Sequence, residues 1–177
     1  NNQPQKNTTF SLQKKKVMKS YPLGIQTFEK IIEGEFLYID KTQDIYKLIR
    51  KKGYYFYARP RRFGKSLMLS TIKAIYEGKK ELFKGLWIEN KWDFSKTNPV
   101  IHLGFSSMGY KDFGLKKALF QELQVIGNTC DIELQENHYV RIFKELIEKI
   151  SEKYGKVILL IDECDKPIID FLGKAFS

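Results

Sequence analysis

Cysteine and histidine are scarce in this 177-residue chain, which has two of each: Cys130 and Cys164, His102 and His138. The cysteines follow no disulfide or metal spacing, which excludes a disulfide-stapled scaffold and a structural zinc site as the basis of the fold. No apolar run is long enough to span a bilayer, and no hydrophobic signal segment lies near the N-terminus. A soluble domain in a reducing cytoplasm fits this usage, with no membrane partner. Acidic residues are missing from the first twenty positions, which carry Lys6, Lys14, Lys15, Lys16 and Lys19. Those five lysines supply half of the formal net charge of +10, in a stretch rich in Asn, Gln, Thr and Ser and without periodicity. Residues 1–20 are therefore expected to form a basic disordered arm, either a solubilising tail or linker or a segment that touches nucleic acid or another acidic surface. The rest of the chain, residues 21–177, is long enough to bury one good core.

The most informative run in that remainder is Arg59-Pro60-Arg61-Arg62-Phe63-Gly64-Lys65-Ser66. Gly-Lys-Ser between a strand and a helix is how a phosphate loop is built. Backbone N–H groups at the helix start surround the phosphates, the Lys reaches the β and γ groups, and the Ser hydroxyl binds magnesium. Upstream, Gly53-Tyr54-Tyr55-Phe56-Tyr57-Ala58 reads as a buried aromatic strand. Downstream, Leu67, Leu69, Ile72, Ile75 and Tyr76 recur at helical spacing until Gly78. The first Gly of the usual pattern is replaced by Arg59, and Pro60 holds Arg59 extended and removes one N–H donor. Arg59, Arg61 and Arg62 either replace the lost donors with guanidinium groups or face solvent.

About a hundred residues on, Val157-Ile158-Leu159-Leu160-Ile161 between Gly155 and the pair Asp162-Glu163 describes a buried strand of a parallel sheet with carboxylates at its C-terminal end. Asp162 is placed to hold magnesium together with Ser66, and Glu163 to polarise an attacking water; the alternative is that both acids only cap the following turn. The candidate catalytic residues are thus Lys65 and Glu163. The candidate nucleotide contacts are Arg59, Arg61, Arg62, Phe63, Gly64, Lys65, Ser66 and Leu67, and the candidate metal ligands are Ser66 and Asp162.

These blocks, with Tyr21-Pro22-Leu23-Gly24-Ile25-Gln26-Thr27-Phe28-Glu29, Tyr38-Ile39-Asp40-Lys41-Thr42, Leu82-Phe83-Lys84-Gly85-Leu86 and Cys164-Asp165-Lys166-Pro167-Ile168, resemble the AAA-ATPase-like family over about residues 21–170. The resemblance implies a P-loop NTPase-like module binding ATP and Mg2+, often followed by a PD-(D/E)XK nuclease-like domain. Arg at the first Walker position is a family habit, whereas Cys164 stands where an aromatic is more usual. As a small side chain it is expected to be buried packing.

Helices are expected over about 27–32, 42–51, 112–126 and 138–153, with Thr42 or Asp40 capping the second, and a further strand over Val100–Phe105. His102 falls within that strand and His138 at a helix start. Phe83, Leu86, Trp87, Ile88 and Trp92 are expected to cover the core. The fold class is α/β, a P-loop NTPase-like three-layer parallel sheet truncated after the Walker B strand, because only a short helix over about 167–175 fits beyond Asp162. The chain reads as the N-terminal portion of a longer protein, lacking the strand between the Walker A and Walker B strands, the sensor residue and any arginine finger. Three functions stay open: a Mg-dependent ATPase or switch controlling a downstream domain, a catalytically silent nucleotide-binding interaction module, and a nucleic-acid-binding domain using the basic arm and Arg-rich loop. ATP or GTP as ligand, and oligomerisation, stay open as well.

Overall fold

The computed structural model describes residues 18–51, 53–60 and 62–167. The basic arm up to residue 17, Arg61 and the helix expected over 167–175, beyond Pro167, lie outside the described residues. Helices α1 (Phe28–Glu33), α2 (Thr42–Arg50) and α3 (Lys65–Tyr76) come first, followed by a 3-10 turn at Lys80–Phe83. Strand β1 (Val100–Gly104), helices α4 (Tyr110–Phe113), α5 (Leu115–Thr129) and α6 (Tyr139–Tyr154), and strand β2 (Ile158–Asp162) complete the order.

The two strands pair in parallel, Val100 opposite Ile158 through Gly104 opposite Asp162. Paired residues of a parallel ladder point to the same face, so the register sorts the core into two halves. Ile101 and Leu103 face α5 and α6, where Leu123, Ile142, Leu146 and Ile150 are fully buried. Leu160, with Val100 and Ile158 partly buried, faces the other half, built from Phe28, Ile45, Ile72, Ala74, Ile75, Phe83 and Ile88. Helices thus cover both faces of a small parallel sheet, which is compatible with an α/β fold. Each fully buried Ile, Leu or Phe contributes about 1.5–3 kcal/mol relative to exposure.

Helix α6 shows how the sequence encodes its own packing. Ile142, Leu146 and Ile150 recur every four residues and form the buried stripe. His138 ends the extended entry as N-cap, its Nδ1 accepting from Val140 N at 3.4 Å. In α5 the buried Ala118 and Leu123 face the same half-core.

Polar side chains fix how the N-terminal helices meet. The Phe28 N–H, an orphan donor at the start of α1, donates to Ser70 Oγ on α3 at 2.9 Å. Asp40 accepts from Thr42 N at 2.8 Å, Thr42 Oγ1 at 2.6 Å and Trp87 N at 2.7 Å, while Ile88 N donates to the buried Thr42 hydroxyl at 3.2 Å. Partial burial alone would raise the Asp40 carboxyl, but these hydrogen bonds outweigh it and hold it below the ordinary carboxylate range. Lys79 Nζ lies 2.8 Å from both Glu29 and Glu77 and joins α1 to the end of α3. Its hydrogen bonds to Glu29 and then Glu77 push its pKa up.

The largest departure from the sequence reading is the aromatic run before the phosphate loop. Residues 53–60 form no regular secondary structure and join no ladder, and Tyr54 and Phe56 are fully and almost fully exposed at 106% and 87%. Aromatic side chains favour extended backbone, yet a strand also needs a neighbour to take its N–H and C=O groups, and no described segment supplies one. Four smaller departures follow. The strand before Asp162, expected to be buried, leaves Leu159 and Ile161 40% and 43% exposed, since β2 is an edge of a two-stranded sheet. Trp87 is 38% exposed instead of closing the core, Cys164 is exposed instead of buried, and the helix expected from residue 112 is broken at Gly114 into α4 and α5.

Two predictions follow from the polar core. Thr42→Val should lower unfolding free energy by about 1–3 kcal/mol in a urea titration, because Ile88 N and Asp40 lose their partner. His102 sits in β1 with its Nε2 buried and unpartnered, and burial, aided by Lys73, pushes its pKa below the ordinary 6.5. The unfolded chain binds that proton first, so stability is full above about pH 6.5 and falls as pH drops toward the folded value. His102→Leu should flatten that acid limb in thermal melts across the window.

Candidate nucleotide site at the strand ends

Helix α3 is oriented by one backbone bond and one apolar face. Asn98 N donates to Tyr76 O at 2.8 Å, which pins the last residue of α3 beside the start of β1. Ile72, Ala74 and Ile75 pack in the same cluster as Leu160, so α3 lies along the sheet. A twelve-residue helix is about 18 Å long and a five-residue strand about 17 Å. With its C-terminus at the strand starts, α3 runs antiparallel to β1 and β2. That direction points its N-terminus, Gly64-Lys65-Ser66, toward the strand ends at Gly104 and Asp162.

The loop into α3 is shaped for close approach. Gly64 is the N-cap residue at φ 75°, and Arg62 also adopts the left-handed region at φ 68°. Gly reaches that region without cost, whereas a residue with a Cβ is strained there by roughly 1–2 kcal/mol. No atom would meet a Cβ at Gly64, so the open space above the helix start is real and the constraint is conformational. The first helical bond is Met68 N to Gly64 O at 2.9 Å, which leaves the N–H groups of Lys65, Ser66 and Leu67 aimed out of the helix end. Among the described residues the Ser66 hydroxyl has no hydrogen-bond partner, whereas Ser70 and Thr71 bond back to Leu67 O. Leu67 itself packs against the core, so among the expected nucleotide contacts it contributes backbone, not side chain.

The remaining loop residues stay outside. Arg59 stacks on the Tyr57 ring at 5.1 Å, and Arg62 and Phe63 are exposed, Phe63 at 61%. Across the edge, Asp162 closes β2, and its carbonyl accepts from Phe105 N at 3.2 Å. Glu163 follows at φ 54°, a strained left-handed position for a residue with a side chain. Its Oε2 is buried without a hydrogen bond, 3.9 Å from Lys166 Nζ. Lys166 Nζ in turn donates to Ser106 Oγ at 2.8 Å, a residue that the sequence offered no reason to choose.

A hydroxyl, one strand-end carboxylate and open helix N–H groups suit a cation that keeps several waters and shares phosphate oxygens. Among the described residues no cluster of three His, Cys, Asp or Glu side chains exists that would hold a metal by protein alone. The residue types fit magnesium bound with a nucleotide.

A family model described as "Predicted AAA-ATPase" matches residues 22–176. The chain belongs to the AAA-ATPase-like family. Membership in this family of predicted ATPases supports nucleotide binding. The chain is also 40% identical over 163 residues to an "Uncharacterized protein in vnfD 5'region" of Azotobacter chroococcum mcd 1. That match covers 88% of this chain and 31% of the relative, so the chain spans about a third of the relative's length. No solved structure matches significantly. No helix among the described residues is long and apolar enough to cross a membrane.

Gly64→Ala should lower stability by about 1 kcal/mol through the left-handed cap. Equilibrium denaturation checks this, and an unchanged midpoint would mean that the cap relaxes freely.

Proposed function

We propose that this chain is the ATP-binding and hydrolysing P-loop module of a longer protein, dependent on Mg2+, whose nucleotide state is passed to another domain. One observation carries the reading. The Asn98–Tyr76 bond and the packing of Ile72 and Ile75 in one cluster with Leu160 support a direction of α3 that points Gly64, Lys65 and Ser66 toward the strand ends carrying Asp162 and Glu163.

In this reading the N–H groups of Lys65, Ser66 and Leu67 bind β-phosphate oxygens, aided by the positive end of the helix dipole. Lys65 bridges the β and γ groups, and Arg59 and Arg62 add charge beside it, with Arg61 between them in sequence. Ser66 and Asp162 would hold magnesium, which when bound offsets charge on the phosphate oxygens. Glu163 orients a water in line with the γ-phosphorus and takes up its proton.

The bare edge of β2 supports the proposal that the site is completed by a further strand. Leu159 and Ile161 point to the same face as the buried Ile101 and Leu103, yet they are 40% and 43% exposed. The segment 53–58 is a second stretch of described backbone without a ladder partner. A strand from the rest of the protein, set between them, would turn 53–58 into a paired strand and fix the loop that follows. The resemblance in the motifs suggests a PD-(D/E)XK nuclease-like domain as recipient of the signal.

Calorimetric titration of Mg-ATP into the full-length protein tests the reading. Lys65→Ala should weaken binding at least tenfold, whereas Glu163→Gln should retain binding and lose phosphate release. Equal affinity of Lys65→Ala and parent would remove the phosphate-loop assignment. Binding by the full-length protein and not by residues 1–177 is the result expected if the added strand completes the pocket.

A further inference from the structure

Glu163 is held in an unusual way. Its backbone is left-handed at φ 54°, and Lys166 N closes the turn by donating to Glu163 O at 3.0 Å. The turn folds Lys166 back, so that its ammonium lies 3.9 Å from Glu163 Oε2 and 2.8 Å from Ser106 Oγ. Ser106 belongs to the turn after β1, where Ser107 N and Ser107 Oγ both bond to Gly104 O. Lys166 therefore ties the two strand-end turns together across sixty residues of sequence. Oε2 is buried on the Lys166 side, yet the Glu163 side chain is 41% exposed as a whole, so its accessible surface lies elsewhere on the group.

A base that orients water works best when a third group fixes its direction. We propose that Lys166, braced by Ser106, is the positioning residue for Glu163, holding Oε2 toward the protein and leaving Oε1 for the attacking water. The inference rests on the nucleotide reading above. In the step it serves, the water oxygen bonds to the γ-phosphorus and the bond from that phosphorus to the β–γ bridging oxygen breaks. ADP leaves, and the proton of the water passes to Glu163 and then to solvent. Lys166 exchanges no proton and touches no substrate. A partly exposed pair at 3.9 Å adds little stability, so the effect of Lys166 is on direction.

The test uses the full-length protein and three measurements: steady-state ATP hydrolysis, Mg-ATP affinity by calorimetry, and amide hydrogen exchange without nucleotide. Lys166→Ala should lower kcat about tenfold, with the dissociation constant within twofold, and Lys166→Arg should recover most of the loss. In the nucleotide-free protein, Lys166→Ala and Ser106→Ala should each speed exchange at Phe105 and Ser107 several-fold. Intact binding with an unchanged kcat in Lys166→Ala overturns this inference alone, as does binding without hydrolysis by the parent. Unchanged exchange at the β1 turn overturns the brace. Absence of Lys65-dependent binding overturns the nucleotide reading and this inference with it.

Discussion

The packing of α3 on the two-stranded sheet is the contact on which the rest of the molecule depends. Ile72, Ala74 and Ile75 bury against the cluster that includes Leu160, and the Asn98–Tyr76 bond fixes which way the helix runs. Reversal of that direction would move Gly64-Lys65-Ser66 to the opposite edge, away from Asp162. The apolar face supplies the energy and does not discriminate direction; the single backbone bond does. Ser70, donating to Leu67 O and accepting from Phe28 N, carries the same helix's position to α1. The Asp40–Thr42 clamp then secures the segment from Trp87 to Ile88 over the same half-core.

Among the described residues, Glu35, Arg62, Asp131 and Glu163 hold a side chain at positive φ, and two of them belong to the candidate site. Arg62, Gly64 and Glu163 all lie at positive φ, two in the loop that opens α3 and one just after β2. Such conformations persist when their surroundings over-determine them. For Gly64 the cost is absent, and for Glu163 the return bond from Lys166 offsets it. Glu163 directly follows the C-terminal end of β2, which is where ligands of open parallel sheets bind.

The exposed aromatics are the other side of the same architecture. Tyr54 and Phe56 before the phosphate loop, and Leu159 and Ile161 on β2, leave apolar surface exposed. Apolar surface of this kind marks a place where another element docks. Tyr54 and Phe56 directly precede the phosphate loop, so completion of the sheet and shaping of the nucleotide site are one event in the proposed whole protein.

The local elements were legible in the sequence because each carries its own periodicity. The four-residue spacing of Ile142, Leu146 and Ile150 defines α6, the run through Ile161 defines β2, and Gly-Lys-Ser defines the entry to α3. The same is true of the residue types that suit a phosphate and a cation. The aromatic run at 54–57 misled because local preference sets backbone shape, whereas pairing needs a neighbour distant in sequence. Gly114, with φ 81°, broke a helix that side-chain spacing carried straight through. The exposure of Cys164 and the bridge from Lys166 to Ser106 depend on turns folding back across two strands, and no periodicity encodes that. Sequence by itself determined most of the helical segments, the strand that ends at Asp162 and the residue types suited to phosphate, since these follow from short-range pattern and chemistry. Only the tertiary structure decided how α3 packs on the sheet, which face of β2 stays open and the bond from Lys166 to Ser106, because each rests on residues far apart in the chain.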